Sequence, residues 1–141
     1  MLQDIIDRLK DKAPSLHSVL PAEELDAIAK GTAPRGGTTF VLPYRERAQP
    51  NDIAMGAFRQ SVQVQFLVAF VVRRHDDGSG GKKALTFDLL KSEIEMALAG
   101  WAPSRENDRF ELVAAQASPL GNGVSVYVQT WETSRFLEVR P

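Results

Sequence analysis

The stretch from Gln60 to Arg74, QSVQVQFLVAFVVRR, decides how the fold is read. Its even positions Val62, Val64, Phe66, Val68, Phe70 and Val72 are all apolar, the period-2 alternation of a strand with one buried face. Its odd positions run Ser61, Gln63, Gln65, Leu67, Ala69, Val71 and Arg73. That second face begins polar and turns apolar, so its second half is expected to pack on something too. At ~3.3 Å per residue the strand would be about 50 Å long against a usual ~20 Å, and a strand of that length often protrudes from its own domain.

Upstream, residues 2 to 12 place Leu2, Ile5, Ile6 and Leu9 on one helical stripe, and Pro14 ends the helix. Leu16, Val19 and Leu20 suit a brief strand or extended segment. A second helix is expected to open with Pro21 at its first position. Glu23 and Glu24 follow, Leu25, Ile28 and Ala29 form a narrow apolar side, and Lys30 and Gly31 close it. Thr38 to Pro43 (TTFVLP) reads as a short strand, followed by an irregular loop from Tyr44 to Ala57 carrying Pro50, Asn51 and Gly56. A loop of that length in a compact domain is usually functional or disordered.

Downstream, His75 to Lys83 (HDDGSGGKK) is a glycine-rich turn, and a helix follows to about Ala99. It carries Phe87, Leu90, Ile94 and Leu98 on one stripe and Gly100 as its stop. Trp101 to Arg109 is a polar loop, Phe110 to Ala117 a strand, Gly121-Asn122-Gly123 a turn, and Val124 to Val139 the last long strand. The order α, β, α, β, β, α, β, β predicts an α+β fold. The expected sheet is mostly antiparallel or mixed, of four to five strands, with helices packed on one face. No repeat, linker or low-complexity block divides residues 1–141, so one domain is expected.

Composition narrows the function. Cysteine is absent, which removes disulfides, thiol catalysis and cysteine zinc sites, and two histidines, His17 and His75, are too few for a histidine metal cluster. No metal or cofactor is therefore expected. Net charge is −1, so no global basic field attracts nucleic acid. The longest apolar run, Phe66 to Val72, has seven residues, where a membrane-spanning helix needs about 20. The N-terminal MLQDIIDRLKDK lacks the apolar block of a signal peptide, so a cytosolic protein is expected.

The candidate catalytic patterns fail on chemistry. Gly78-Ser79-Gly80-Gly81-Lys82-Lys83 imitates a phosphate-binding loop, but Asp76 stands where the first glycine belongs and Lys83 where magnesium needs a hydroxyl. His75 is flanked by Asp76 and Asp77, His17 lies in an apolar connector, and no G-x-S-x-G elbow occurs. Glu93 with Glu95, and Glu23 with Glu24, lie at helical spacings that point side chains apart. No enzyme is expected.

Four arginines, Arg35, Arg45, Arg47 and Arg59, face only Glu46 and Asp52 in the middle of the chain. They suit either a solvated loop or an assembly contact, since arginine is enriched at interfaces. Tyr127 and Trp131 share the odd face of the last strand with Gln129 between them, and suit either a sheet core or interface anchors. The candidate oligomer or tube interface is Arg45, Arg47, Arg59, Gln63, Gln65, Tyr127 and Trp131.

DIIDRLKDKAPSL, LPAEELDAIAKGTAP, FVLPYRERA, QFLVAFVVRR, LLKSEIEMALAGWAPS and FELVAAQASPLGNGVSVYVQTWETS follow one another along nearly the whole chain. This ordered set, VLPYRERA and ALAGW above all, resembles the small tail terminator proteins of long-tailed phages and prophages. The resemblance implies a ring, usually hexameric, that caps the finished tail tube, stops its polymerisation and offers its other face to the head-proximal connector. The implied partners are further copies of the chain, the tail tube protein and the connector, with assembly in the host cytoplasm and residence in the virion tail. It carries over no catalytic residue. The alternatives are a small ligand-binding or enzymatic α+β domain, or another neck or contractile-system component.

Overall fold

A computed structural model describes residues 1–23, 34–51, 56–73, 80–121 and 124–139. The elements are α1 (Leu2–Lys12), β1 (Ser18–Pro21), β2 (Thr38–Ala48), β3 (Phe58–Arg73), α2 (Gly80–Leu98), β4 (Glu111–Gly121) and β5 (Val124–Val139). The strands form one five-stranded mixed sheet in the order β1-β2-β3-β5-β4. β1 runs parallel to β2, and every other neighbour is antiparallel. The expected α+β class and the strand count hold.

β3 lies at the centre and is apolar on both faces from Phe66 to Val71 because both are covered. On one face Phe66, Val68 and Phe70 pack with Val41 and Trp131 beneath the apolar stripes of the two helices, Ile5, Ile6 and Leu9 of α1 and Leu90, Ile94 and Leu98 of α2. Edge-on ring contacts, Phe66 on Phe110 and Trp101 on Phe110, fill the bottom of this core. On the other face Leu67, Ala69 and Val71 join Leu42, Val124, Val126 and Val128 in a second buried cluster. The switch from polar to apolar along the odd positions of β3 marks where this cluster begins.

Two connections depend on glycine. The turn before β2 places Gly37 at φ +85, with its carbonyl accepting from the backbone N–H of His17 and its own N–H reaching Val71. Gly100, at φ +76, ends α2 and donates to Phe110. A side chain at either position would sit in a left-handed conformation that L-residues disfavour.

The structure corrects three expectations. α2 opens at Gly80, inside the stretch His75 to Lys83 expected as a turn. Pro21 closes β1 and does not open a helix; an edge strand tolerates a residue without an N–H. The expected helix residues Leu25, Ile28, Ala29, Lys30 and Gly31 lie outside the described residues, as do His75 and Asn122. β2, for its part, does not stop at Pro43 but continues to Ala48. The register shifts between Pro43 and Arg45, so Tyr44 is a bulge that absorbs the proline, and pairing with the long β3 carries the strand onward.

Candidate functional site

Beyond the helices, β2, β3 and β5 run on as a three-stranded arm. Pro43 to Ala48 on β2, Phe58 and Arg59 on β3, and Phe136 to Val139 on β5 are exposed there. The arginines expected in a loop therefore stand on strands, and the register lines them up with partners no local spacing reveals.

The central row crosses four strands. Arg45 of β2 pairs with Gln65 of β3, Gln65 with Glu132 of β5, and Glu132 with Glu111 of β4. Arg45 Nε donates to Gln65 Oε1 at 2.8 Å, and Gln65 Nε2 donates to Glu132 Oε1 at 3.0 Å. A glutamine suits the middle of such a row because its amide accepts from the cation and donates to the anion. Two carboxylates, Glu132 and Glu111, end the row side by side. The next row sets Arg47 beside Gln63 and Ser134. An open cleft lies among Arg45, Glu46, Arg47, Gln63, Gln65 and Glu132.

On the opposite face of the arm, Arg135 of β5 clamps Glu46 of β2 with two parallel bonds of 2.9 Å, from Nε to Oε1 and from Nη2 to Oε2. The register runs this bridge diagonally across β3, from Glu46 opposite Val64 to Arg135 opposite Val62. The Arg135 hydrogen bonds, aided by its charge and opposed by partial burial, hold the Glu46 carboxyl below the usual carboxylate range. Near the tip Arg59 pairs with Glu138 at 3.2 Å, and its guanidinium sits 3.8 Å from the centre of the Phe136 ring.

The aromatic candidates separate. Trp131 is fully buried in the helix-side core, packed by its own chain, and so is withdrawn from the interface set. Tyr127 is half-buried against Phe70 and Phe87, with ring centres 5.4 and 4.8 Å away. Arg45, Arg47, Arg59 and Gln63 are exposed, and Gln65 is half-buried in its row. Glu111, Glu132, Glu46 and Arg135 were missed by sequence reasoning. Their pairing rests on the register between β3 and β5, which are separated by α2, whereas the short turn between β4 and β5 was the one local signal that could have set Glu111 opposite Glu132.

Among the described residues no group of three or more His, Asp or Glu is placed to hold a metal ion, and no helix is long and apolar enough to cross a membrane. Other clefts are lined by Asp4, Asp7, Arg8 and Asp11 with Trp101, by the connector around His17, and by Gln63, Asp108, Arg109, Glu111, Glu132 and Thr133.

Comparison with known proteins places these features in a family. No curated protein sequence matches the chain significantly. Fifteen chains of solved structures match its fold. One belongs to the virion of a native gene transfer agent particle, with a TM-score of 0.60 and 13% identity, and the match covers 95% of this chain and 92% of that one. The family model described as phage tail terminator protein matches residues 1–140. With that match running from the first turn of α1 past the end of β5, the chain belongs to the phage tail terminator family and is a structural component of the phage tail.

Proposed function

We propose that the chain, acting as one domain, assembles into a ring, a hexamer, that caps the finished tail tube and ends its polymerisation. Its other face then serves head–tail joining. The observation that carries this reading is the arm: three strands that leave the helix-covered core and present Arg45, Arg47 and Arg59 at its surface. Such an arm costs the fold exposed backbone edges and apolar side chains, a liability for a monomer that an assembly partner removes. Family membership supports the same reading.

The partners are further copies of the chain, the tail tube protein and the head-proximal connector. Neither nucleic acid nor membrane enters the reading. Work is done by binding alone, without a catalytic step or a cofactor, in the host cytoplasm during assembly and in the virion tail afterwards. Arg45, Arg47, Arg59 and Gln63, with Gln65 and the half-buried Tyr127, are the proposed interface with neighbouring copies or the tube.

Native mass spectrometry over a concentration series, with negative-stain microscopy of the chain mixed with the tube protein, tests this. Closed rings seated on tube ends are expected. Monomers at every concentration, with bare tube ends, would remove the proposal.

A further inference from the structure

We propose that successive copies join through opposite edges of the sheet. The outer side of β4 from Glu111 to Gln116 on one copy adds antiparallel to the segment Leu42–Arg47 of β2 on the next, setting Glu111 of the first against Arg47 and beside Arg45 of the second. The inference rests on the ring reading above and names its contact.

β4 is the last strand of the sheet, so one side of its backbone has no strand partner among the described residues. Its side chains from Glu111 to Ala117 are all exposed, with Leu112 at 43% and Val113 at 50%. Soluble proteins normally guard such an edge with lysine, proline, a bulge, an inward charge or a cover. β4 carries no lysine, and its Pro119 and the irregularity at Leu120 lie toward its far end, so Glu111 to Gln116, broken only at Val113, is open to a strand.

The second free edge lies on the far side of the sheet. Among the described residues β1 covers β2 from Thr38 to Val41, and the Ala22 N–H bonded to the Val41 carbonyl is the last backbone hydrogen bond on that side. From Leu42 to Ala48 the outer side of β2 is without a strand among the described residues, and Tyr44 there is 54% exposed. The edge of β5 at the same level is already taken, because Asn107 Nδ2 donates to the Ser134 carbonyl at 2.8 Å.

Direction and charge both select this pairing. β2, β3, β5 and β4 alternate in direction, so β4 runs opposite to β2, and the next copy placed edge to edge continues the alternation. The central row is polar from edge to edge, with Arg45 at one end and the adjacent carboxylates Glu132 and Glu111 at the other. Like charges directly opposite on a sheet destabilise it, and the Glu111 carboxylate, which shares a cleft with Arg109, has no hydrogen-bond or ion-pair partner among the described residues. The Arg47 guanidinium likewise has none among them. A neighbour's arginines relieve the carboxylate pair. Because the two edges differ, the contact is head-to-tail and closes a ring when the rotation between copies divides the full turn evenly, where a β4-to-β4 contact would stop at a dimer.

The chain has no cysteine, so single thiols report cleanly. Tyr44→Cys and Ala114→Cys, both at exposed positions and within about two residues of each other in the proposed pairing, are purified separately, mixed and treated with a short bis-maleimide. Linked pairs are expected only in the mixture. Chains carrying both thiols should give a ladder ending at the ring size seen for the unmodified chain by native mass spectrometry. Glu111→Arg should raise the concentration for half-assembly about tenfold, near the coupling of one close charge pair. Adding Arg45→Glu and Arg47→Glu to that chain should restore assembly. Linked pairs from Ala114→Cys alone would mean a two-fold contact and overturn the proposal. Rings without any linked pairs would overturn these edges and leave the ring standing. A chain monomeric under all conditions would overturn both.

Discussion

The indole Nε1–H of Trp131 donates to Oε1 of Gln129 at 3.1 Å, two residues along the same buried face of β5. An indole nitrogen can only donate, so the carbonyl end of the amide must face it, and Gln129 Nε2 is left buried without a partner among the described residues. Gln129→Met keeps the shape but leaves the indole N–H unpaired. Set against the release of the orphaned amide, a net loss of about 1 kcal/mol is expected. Trp131→Phe should then cost less in a chain already carrying Gln129→Met than in the native one, with a coupling of about 1 kcal/mol in a double-mutant cycle from urea unfolding. Additive losses would show that the bond contributes nothing.

Trp131→Ala is a harsher change. The side chain is 0% exposed and lies in the cluster shared by both helices. A loss of about 3–5 kcal/mol is expected, much of the stability of a domain this size. The unfolding midpoint of the isolated chain measures it, and a variant as stable as the native chain would return Trp131 to the interface set.

How much of this was legible in the sequence depends on how local the cause is. α1, the end of α2 at Gly100 and the span of β5 were readable, because stripes, a glycine stop and alternation act over a few residues. Pro43 and the polar run Tyr44-Arg45-Glu46-Arg47 masked the continuation of β2, since what extends it is pairing with β3, the next strand along the chain. The Arg45–Gln65–Glu132 row was half visible: its arginine and glutamine were singled out, but Glu132 enters only through the β3–β5 register. Trp131 stayed ambiguous because alternation shows which residues share a face and not which face the helices cover.

Replacing Arg45, Arg47 and Arg59 together by alanine separates assembly from folding. Exposed ion pairs contribute about 0.2–1 kcal/mol each, so the isolated chain should lose no more than roughly 2 kcal/mol. Most of that belongs to Arg59, which holds Glu138 and covers Phe136. Ring formation and tube capping should be lost. A fall in the thermal midpoint of the monomer with unchanged assembly would assign the arginines to the fold.

The Glu46–Arg135 clamp makes stability depend on pH in a fixed direction. The folded carboxyl titrates below its unfolded value, so its contribution is present above the unfolded pKa and is lost as pH falls through the folded one. Both side chains are more than a third exposed, which limits the effect to about 1 kcal/mol or less. Glu46→Gln should be less stable than the native chain at neutral pH, and the difference should shrink as pH falls into the acid range and vanish once the folded carboxyl, whose pKa is lowered, is protonated. Thermal midpoints of the two proteins across that range provide the measurement; a constant difference would locate the effect elsewhere than in the carboxylate.

Gly100 tests how the arm-side loop is held to the core. It ends α2 at φ +76 with open space where a Cβ would lie, so the cost of a side chain there is conformational and not steric. Its N–H donates to the Phe110 carbonyl, and Phe110 in turn donates to Trp101, which ties the start of β4 to the end of the helix. Gly100→Ala should cost about 1 kcal/mol, and Gly100→Asn clearly less, because asparagine tolerates the left-handed region. Equal losses for the two would point to crowding at this site. An effect confined to assembly, with monomer stability unchanged, would instead show that the turn sets the position of Glu111 for its neighbour.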